Sequence, residues 1–371
     1  MERINMNKEN LHSLINRYEE NFYTLNNAEH DEIFKWRAAK RFRDVWFSDE
    51  AQSLPFSEKF NSAKKEFSIL IDNSYVSPSN GIVKIAEQDQ DAVERLFTEV
   101  LFADDGSDIV ARQNNMDRFL EEFDKLRAKY YPQSFKFKQD RHAVSCYLAF
   151  YAPDQNYIYR YSDAEAFAQN IEFGKDIGSG ESFRLERYYE MCDMIVEALK
   201  EHSSLLEKHF TFLSDKCYRD ESLHLLAFDL MYCCRTYNYY AGMTHASKKD
   251  SIKAFTEAEA RAKEAQEKQE KIDVLMAEIS ELECRAEMFT QISLLNVQVY
   301  QPTYGDGVII EQNVNKIKVC YSDCEKTYFI NRKYMNRPKF EDDQATVDAF
   351  TEYDELCEKI KRLKSQLERL V

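Results

Sequence analysis

Two stretches near the C-terminus repeat apolar residues at alternating three- and four-residue steps, and that spacing constrains the architecture more than any other feature. Within 247–295, Ile272, Leu275, Ile279, Leu282, Ala286 and Phe289 form one heptad seam. Within 344–371, Tyr353, Leu356, Ile360, Leu363, Leu367 and Leu370 form another. The stretch they bracket, 297–340, reads as four short strands at 297–300, 307–310, 317–321 and 326–330, parted by Gly-Asp, Asn-Val-Asn and Ser-Asp turns. Strands of this length suit a small barrel. If the ends of that barrel are neighbours, the flanking helices return antiparallel and pair, giving a coiled-coil helical hairpin with a β-barrel at its tip. Parallel dimerisation through the same seams is the competing geometry.

Upstream, 1–245 reads as a multi-helical domain, so the fold class is mainly α. Only 8 Gly and 6 Pro punctuate the 371 residues, where globular proteins average roughly 7% and 5%, and a chain so poor in turn residues must keep its backbone in long helices. The 44% of hydrophobic residues suffices for a substantial core. Leu11, Leu14, Ile15, Tyr18 and Phe22, then Ile33, Trp36, Phe42 and Trp46, recur at helical spacing. Further helices are expected over 56–71, from 91 onward, over 115–131 up to Pro132, and over 183–213 and 221–240. Ser77-Pro78-Ser79-Asn80-Gly81 reads as a turn. Tyr157-Ile158-Tyr159-Arg160-Tyr161 alternates aromatic with other residues and predicts a short β element near 157–161 with three tyrosines on one face.

The formal charge of −16, from 66 acidic against 50 basic residues, argues against bulk attraction to nucleic acid or anionic membrane, so any such contact must be a local patch. The most apolar stretch, 225–234, is short and carries Asp229, which predicts no membrane span. Residues 1–10 are polar, without the apolar run of a secretory signal. Nine scattered cysteines suit buried thiols in a reducing compartment, and cytoplasm is the expected location.

Catalytic signatures are missing. Gly178-Ser179-Gly180-Glu181-Ser182 lacks the Lys that reaches phosphates in a nucleotide loop. Pro153-Asp154 is followed by no acidic-x-Lys pair of a metal-dependent nuclease. The histidines give no HExxH, and His202 with His209 reads as a surface pair. Cys320 and Cys324 lack a second ligand pair, and Cys233-Cys234 lies in an apolar run. Asp140-Arg141-His142 precedes Ser145 and Cys146, but no glycine elbow presents either nucleophile. No enzyme activity, metal or cofactor is expected.

Basic–aromatic clusters carry the functional expectation. Lys35, Trp36, Arg37, Lys40, Arg41 and Arg43 lie on or near one helix, where cations pair phosphates and an aromatic stacks on a base, unless Trp36 and Phe42 belong to the core. Tyr157 and Tyr159, beside Arg160, face the same choice between stacking platform and core. In 297–340, Lys316, Lys318, Lys326, Arg332, Lys333, Arg337 and Lys339 outnumber Asp306, Glu311, Asp323 and Glu325, a local sign reversal that a nucleic-acid or acidic-partner contact needs. The site residues expected to touch nucleic acid there are Lys326, Arg332, Lys333 and Arg337.

Three segments carry a resemblance: Ile33-Phe34-Lys35-Trp36-Arg37-Ala38-Ala39-Lys40-Arg41-Phe42; the run from Tyr147 through Pro153-Asp154-Gln155-Asn156 to Tyr161; and Cys217-Tyr218-Arg219-Asp220-Glu221-Ser222-Leu223-His224. In this order they resemble the region upstream of the motor in McrB-like AAA+ restriction proteins, over about 30–245. This chain continues into coiled coil and knob where that family continues into a nucleotide-hydrolysing motor, so no hydrolysis is implied. The resemblance implies a setting of prokaryotic DNA restriction or phage defence, with a sensor or adaptor role. The knob, through Tyr304-Gly305-Asp306-Gly307-Val308 and Lys326-Thr327-Tyr328-Phe329, is similar to the small SH3-like or Tudor-like barrels of bacterial DNA-transaction proteins. The expected function is non-enzymatic recognition of nucleic acid, above all DNA, with a protein partner or self-association through the 247–295 and 344–371 helices. A protein–protein scaffold without nucleic-acid contact is the alternative.

Overall fold

The computed structural model describes residues 6–103, 108–290, 293–313, 316–329, 339–340 and 344–370. The chain divides into two units, Met1–Glu257 and Ala258–Val371.

Among the described residues, the regular secondary structure of the first unit is all helical. Its N-terminal half holds α1 (Lys8–Glu20), α2 (Phe22–Leu25), α3 (Phe34–Trp46), α4 (Asp49–Gln52), α5 (Phe56–Ala63), α6 (Ser68–Ile71), α7 (Pro78–Ala86) and α8 (Gln90–Arg95), the last running into a π-helical turn, Leu96–Leu101. Then come α9 (Ile109–Tyr130), α10 (Arg141–Tyr151), α11 (Tyr161–Asn170), α12 (Leu185–Lys200), α13 (Ser203–Phe212) and α14 (His224–Thr236). The capping residues do their usual work: Asn7, Asp108 and Asp140 each accept a backbone N–H from the first turn of α1, α9 and α10. Helices α10 and α14 are buried nearly all round, including Ala143 to Phe150 and Leu225 to Met231, and the amphipathic helices lay their apolar faces against them in one continuous core.

Two local expectations fail, each for a physical reason. Pro78 does not turn the chain but occupies the first position of α7, where its missing N–H costs nothing. Gly81 then lies inside that helix, against Phe137: a Cβ built there meets the Phe137 Cβ at 2.8 Å and its carbonyl oxygen at 2.9 Å. Gly81→Ala is therefore expected to destabilise by about 1–3 kcal/mol through overpacking, read as a lower urea midpoint. The segment 157–160 is extended but belongs to no sheet, and Tyr161 already opens α11. Side chains take the place of a neighbouring strand. Ser145 Oγ accepts from Tyr159 N at 2.9 Å, Tyr188 OH donates to the Ile158 carbonyl at 2.5 Å, and Tyr189 OH accepts from Tyr157 N at 3.3 Å. A buried backbone must be paired, and here helices α10 and α12 pair it.

The long helix α15 (Lys248–Thr290) begins within the first unit, where Lys248 pairs with Glu165 and Asp176 and Phe255 is buried. In the second unit, α16 (Gln344–Leu370) returns along α15. Ile279 and Leu282 meet Leu356 and Leu363, flanked by Leu275, Ile360 and Leu367. The direction is antiparallel, because Lys271 and Leu275 border the same groove as Gln366 and Leu370, whereas Ala286 and Glu287 border Tyr353 and Cys357. Arg285–Glu352, Lys359–Glu278 and Lys364–Glu283 pair beside the seam at 2.6–2.8 Å. The expected hairpin is thus present; the Phe289 side chain of its seam lies outside the described residues.

Between the two helices runs an antiparallel sheet of β1 (Gln298–Gln301), β2 (Gly305–Asn313), β3 (Lys316–Tyr321), β4 (Glu325–Phe329) and β5 (Lys339–Phe340), in the order β4-β3-β2-β1-β5: the first four strands form a meander and β5 pairs with β1. Val299, Ile309, Ile317, Val319 and Tyr321 alternate inward with Leu294 to form its core, and a bulge between Ile309 and Glu311 shifts the β2–β3 register. Among the described residues β4 and β5 form the two edges of the sheet, and the small β knob expected between the two helices is present.

Candidate functional site

The three segments that carry the sequence resemblance come together in the first unit. The Tyr218 N–H donates to the Trp36 carbonyl at 2.9 Å, and Tyr218 OH donates to Asp154 Oδ2 at 2.7 Å. Arg43 donates to the Tyr151 carbonyl, its guanidinium 5.1 Å from the Phe47 ring and 5.7 Å from that of Tyr218. The His224 Nδ1–H donates to the Pro153 carbonyl at 3.0 Å, with its ring 4.0 Å from Tyr157. Leu223, in the left-handed region at φ 62, makes the sharp bend that aims Asp220 at the start of α14. There the buried Asp220 carboxylate accepts from His224 N and Leu226 N; burial pushes its pKa up to about 6 against the pull of those N–H groups. The segments thus share packing and capping, with Phe47 and Asp154 reaching solvent.

Most of the N-terminal residues expected to meet nucleic acid are committed elsewhere. Lys35 and Trp36 are buried, because the apolar stripe of α3 runs through Trp36, Ala39, Phe42 and Trp46 and carries its neighbour inward. The Lys35 ammonium bonds Asp229 at 2.6 Å, bonds Glu32, and lies 4.3 Å from the centre of the Tyr232 ring. Burial opposes that charge, but Asp229 and Glu32 outweigh it and hold the Lys35 pKa above the usual lysine value. Tyr18 OH donates to Asp229 at 2.6 Å and Tyr237 OH to Glu32 at 2.5 Å, completing a network inside the core. Arg37 makes two bonds to Asp31, Lys40 pairs with Asp44, and Arg41 bonds the Ser62 carbonyl. Tyr157 and Tyr159 are buried, not stacking platforms. Tyr157 OH bonds Asp193 at 2.7 Å, and the Tyr159 ring lies 4.3 Å from Phe183. Arg160 faces Asp163 and the Tyr232 ring. The signal that sequence reasoning missed is Asp229 itself: a carboxylate in an otherwise apolar helix demands a buried cation.

Other reactive groups are equally enclosed. Glu32, Asp229 and Cys233 offer ligand atoms within 4.8 Å of one another, but the Lys35 ammonium already supplies the cation they need. Cys146 Sγ lies 3.9 Å from His142 Nδ1, yet the thiol is fully buried and pushed up by burial, and the half-buried His142 also bonds the Tyr159 carbonyl. A neutral thiol with no path to solvent is no nucleophile. His209 is no surface residue: it is wholly buried beside Trp36, and His202 instead meets His12.

In the second unit Lys326 is exposed, its ammonium 5.1 Å from the centre of the Tyr304 ring, which lies 5.4 Å from Tyr321. Tyr321 OH bonds Tyr328 OH at 3.0 Å, so the end of the sheet presents a tyrosine cluster under a lysine. On the opposite face the Lys316 ammonium lies 4.9 Å from the Phe329 ring, and Lys318 pairs with Glu325. Arg332, Lys333 and Arg337 lie outside the described residues, and with them the basic excess of 297–340: the described lysines 316, 318, 326 and 339 are matched by Asp306, Glu311, Asp323 and Glu325. No helix of the described residues is long and apolar enough to cross a membrane. Comparisons with protein-family models, with curated proteins and with solved structures found no match.

Proposed function

We propose that this chain is a non-enzymatic recognition protein that binds DNA through its β unit and engages a protein partner through the hairpin, in a restriction or phage-defence setting. The observation that carries the reading is the pairing of Lys326 with Tyr304 and of Lys316 with Phe329. A cation held against an aromatic ring offers a phosphate contact beside a stacking surface. The β sheet is favoured over the N-terminal clusters because Trp36, Tyr157 and Tyr159 are core, Arg37 and Lys40 pair with Asp31 and Asp44, and Arg41 bonds the Ser62 carbonyl.

Binding of labelled single- and double-stranded DNA, followed by anisotropy across salt concentrations, tests the reading. Saturable binding that weakens log-linearly with salt is expected, and Lys316→Ala with Lys326→Ala should reduce the slope by about 1 per phosphate contact removed. An unchanged slope moves the contact off these residues. No binding at low salt favours the scaffold reading, which has its own support: Val274, Met276 and Met288 on α15 are 66%, 55% and 69% exposed.

A further inference from the structure

We propose that His12 and His202 form a binding site for one divalent transition-metal ion of the zinc, nickel or copper class, tying α1 to the start of α13. The two residues stand 190 apart in sequence, yet His12 Nδ1 lies 2.8 Å from His202 Nε2, with ring centroids 5.1 Å apart. Neutral imidazole nitrogens are preferred ligands for these ions. Two nitrogens bound at about 2.0–2.1 Å in tetrahedral geometry lie roughly 3.3 Å apart, so the pair has to open by only about half an ångström.

The surroundings favour that use over a bare hydrogen bond. Glu201 Oε2 lies 3.5 Å from His12 Nε2, on the side of the ring away from His202. A carboxylate there holds the proton on Nε2 and leaves the Nδ1 lone pair facing inward, the arrangement that typically orients a metal-bound histidine. With no ion, His202 Nε2–H donates to that lone pair; with an ion, His202 shifts its proton to Nδ1 and both lone pairs converge. Lys208, on the helix that follows His202, is compensated, since it bonds Glu19 Oε1 at 2.8 Å and Ser204 bonds the same oxygen. The His12 side chain is 34% exposed, so the ion can enter and water can fill its remaining positions.

The full chain, stripped with chelator, is titrated with zinc chloride and separately with nickel chloride by calorimetry, and its thermal unfolding is followed in parallel. One saturable ion per chain and a raised midpoint are expected. Both should vanish in His12→Ala and His202→Ala, and affinity should fall about 10–100-fold in Glu201→Gln. His12→Gln, which retains a hydrogen-bonding side chain at this position, guards against misfolding of the alanine variants and must also lose the ion. Absence of saturable binding, or binding that survives in the histidine variants and so belongs to groups such as the exposed Cys284 or Cys320, overturns the site.

Discussion

Lys35→Ala is expected to lower the unfolding free energy of the first unit by about 3–5 kcal/mol, the loss typical when one partner of a buried ion pair is removed. The substitution strips the only ammonium among the described residues that bonds the Glu32 and Asp229 carboxylates, both of them buried. Tyr18 and Tyr237 each donate one bond to them, which cannot neutralise two charges in a low-dielectric interior. The deficit must also depend on pH. Without Lys35 the carboxylates acquire raised pKa values in the folded state, so the native variant binds protons that its unfolded chain has released, and its stability relative to wild type recovers as pH falls from 8 towards 5. Trp36 and Trp46, the chain's two tryptophans, both lie in this unit, so urea unfolding followed by their fluorescence reports it directly. A loss under about 1 kcal/mol, or one that is constant with pH, would show that water reaches the carboxylates. The triple variant Glu32→Gln, Lys35→Met, Asp229→Asn removes all three charges and should regain most of the loss, since a buried ion network is often replaceable by neutral residues.

That network also marks where sequence reading stops. The hairpin and the sheet were legible because their signals are local: a seam at three- and four-residue steps, and alternation such as Ile317, Val319, Tyr321, each specify the face that packs. The partners of a charged residue are not local. Lys35 meets Asp229 from 194 residues away, so a helix that reads as a basic face turned one lysine into the core. Tyr157 and Tyr159 alternate as a strand does, but a ladder needs a neighbour, and the neighbours available were the hydroxyls of Ser145, Tyr188 and Tyr189. His202 was weighed against His209 on helical spacing, whereas its contact, His12, lies on another helix.

His209 and Asp220 are expected to pull acid stability in opposite directions, and separating them is the second large effect. Among the described residues neither ring nitrogen of the buried His209 has a hydrogen-bond partner, and burial drives its pKa down to about 4 from 6.5. Between those values the unfolded chain binds a proton that the native state refuses. Stability therefore falls as pH falls, by about 1.4 kcal/mol per pH unit and about 3 kcal/mol in all. Asp220 has the reverse sign. Its native pKa of about 6 exceeds the ordinary 3.8, so between them the native state holds the extra proton and stability rises as pH falls, again by about 3 kcal/mol. In the wild type the two contributions nearly cancel from pH 6 to 4. His209→Phe, whose ring suits the aromatic neighbours Phe22 and Trp36, removes the penalty and should gain about 3 kcal/mol on the wild type on going from pH 7 to pH 4. Asp220→Asn keeps an acceptor for only one of the His224 and Leu226 N–H groups, which are held by separate oxygens, a loss that does not depend on pH; it also loses the compensating proton, so from its own value at pH 7 it should fall behind the wild type by a similar amount over the same range. Urea midpoints at pH 7, 5.5 and 4 decide the matter: the two variants must diverge from the wild type in opposite senses, and profiles parallel to the wild type would show that both groups titrate as they do in water.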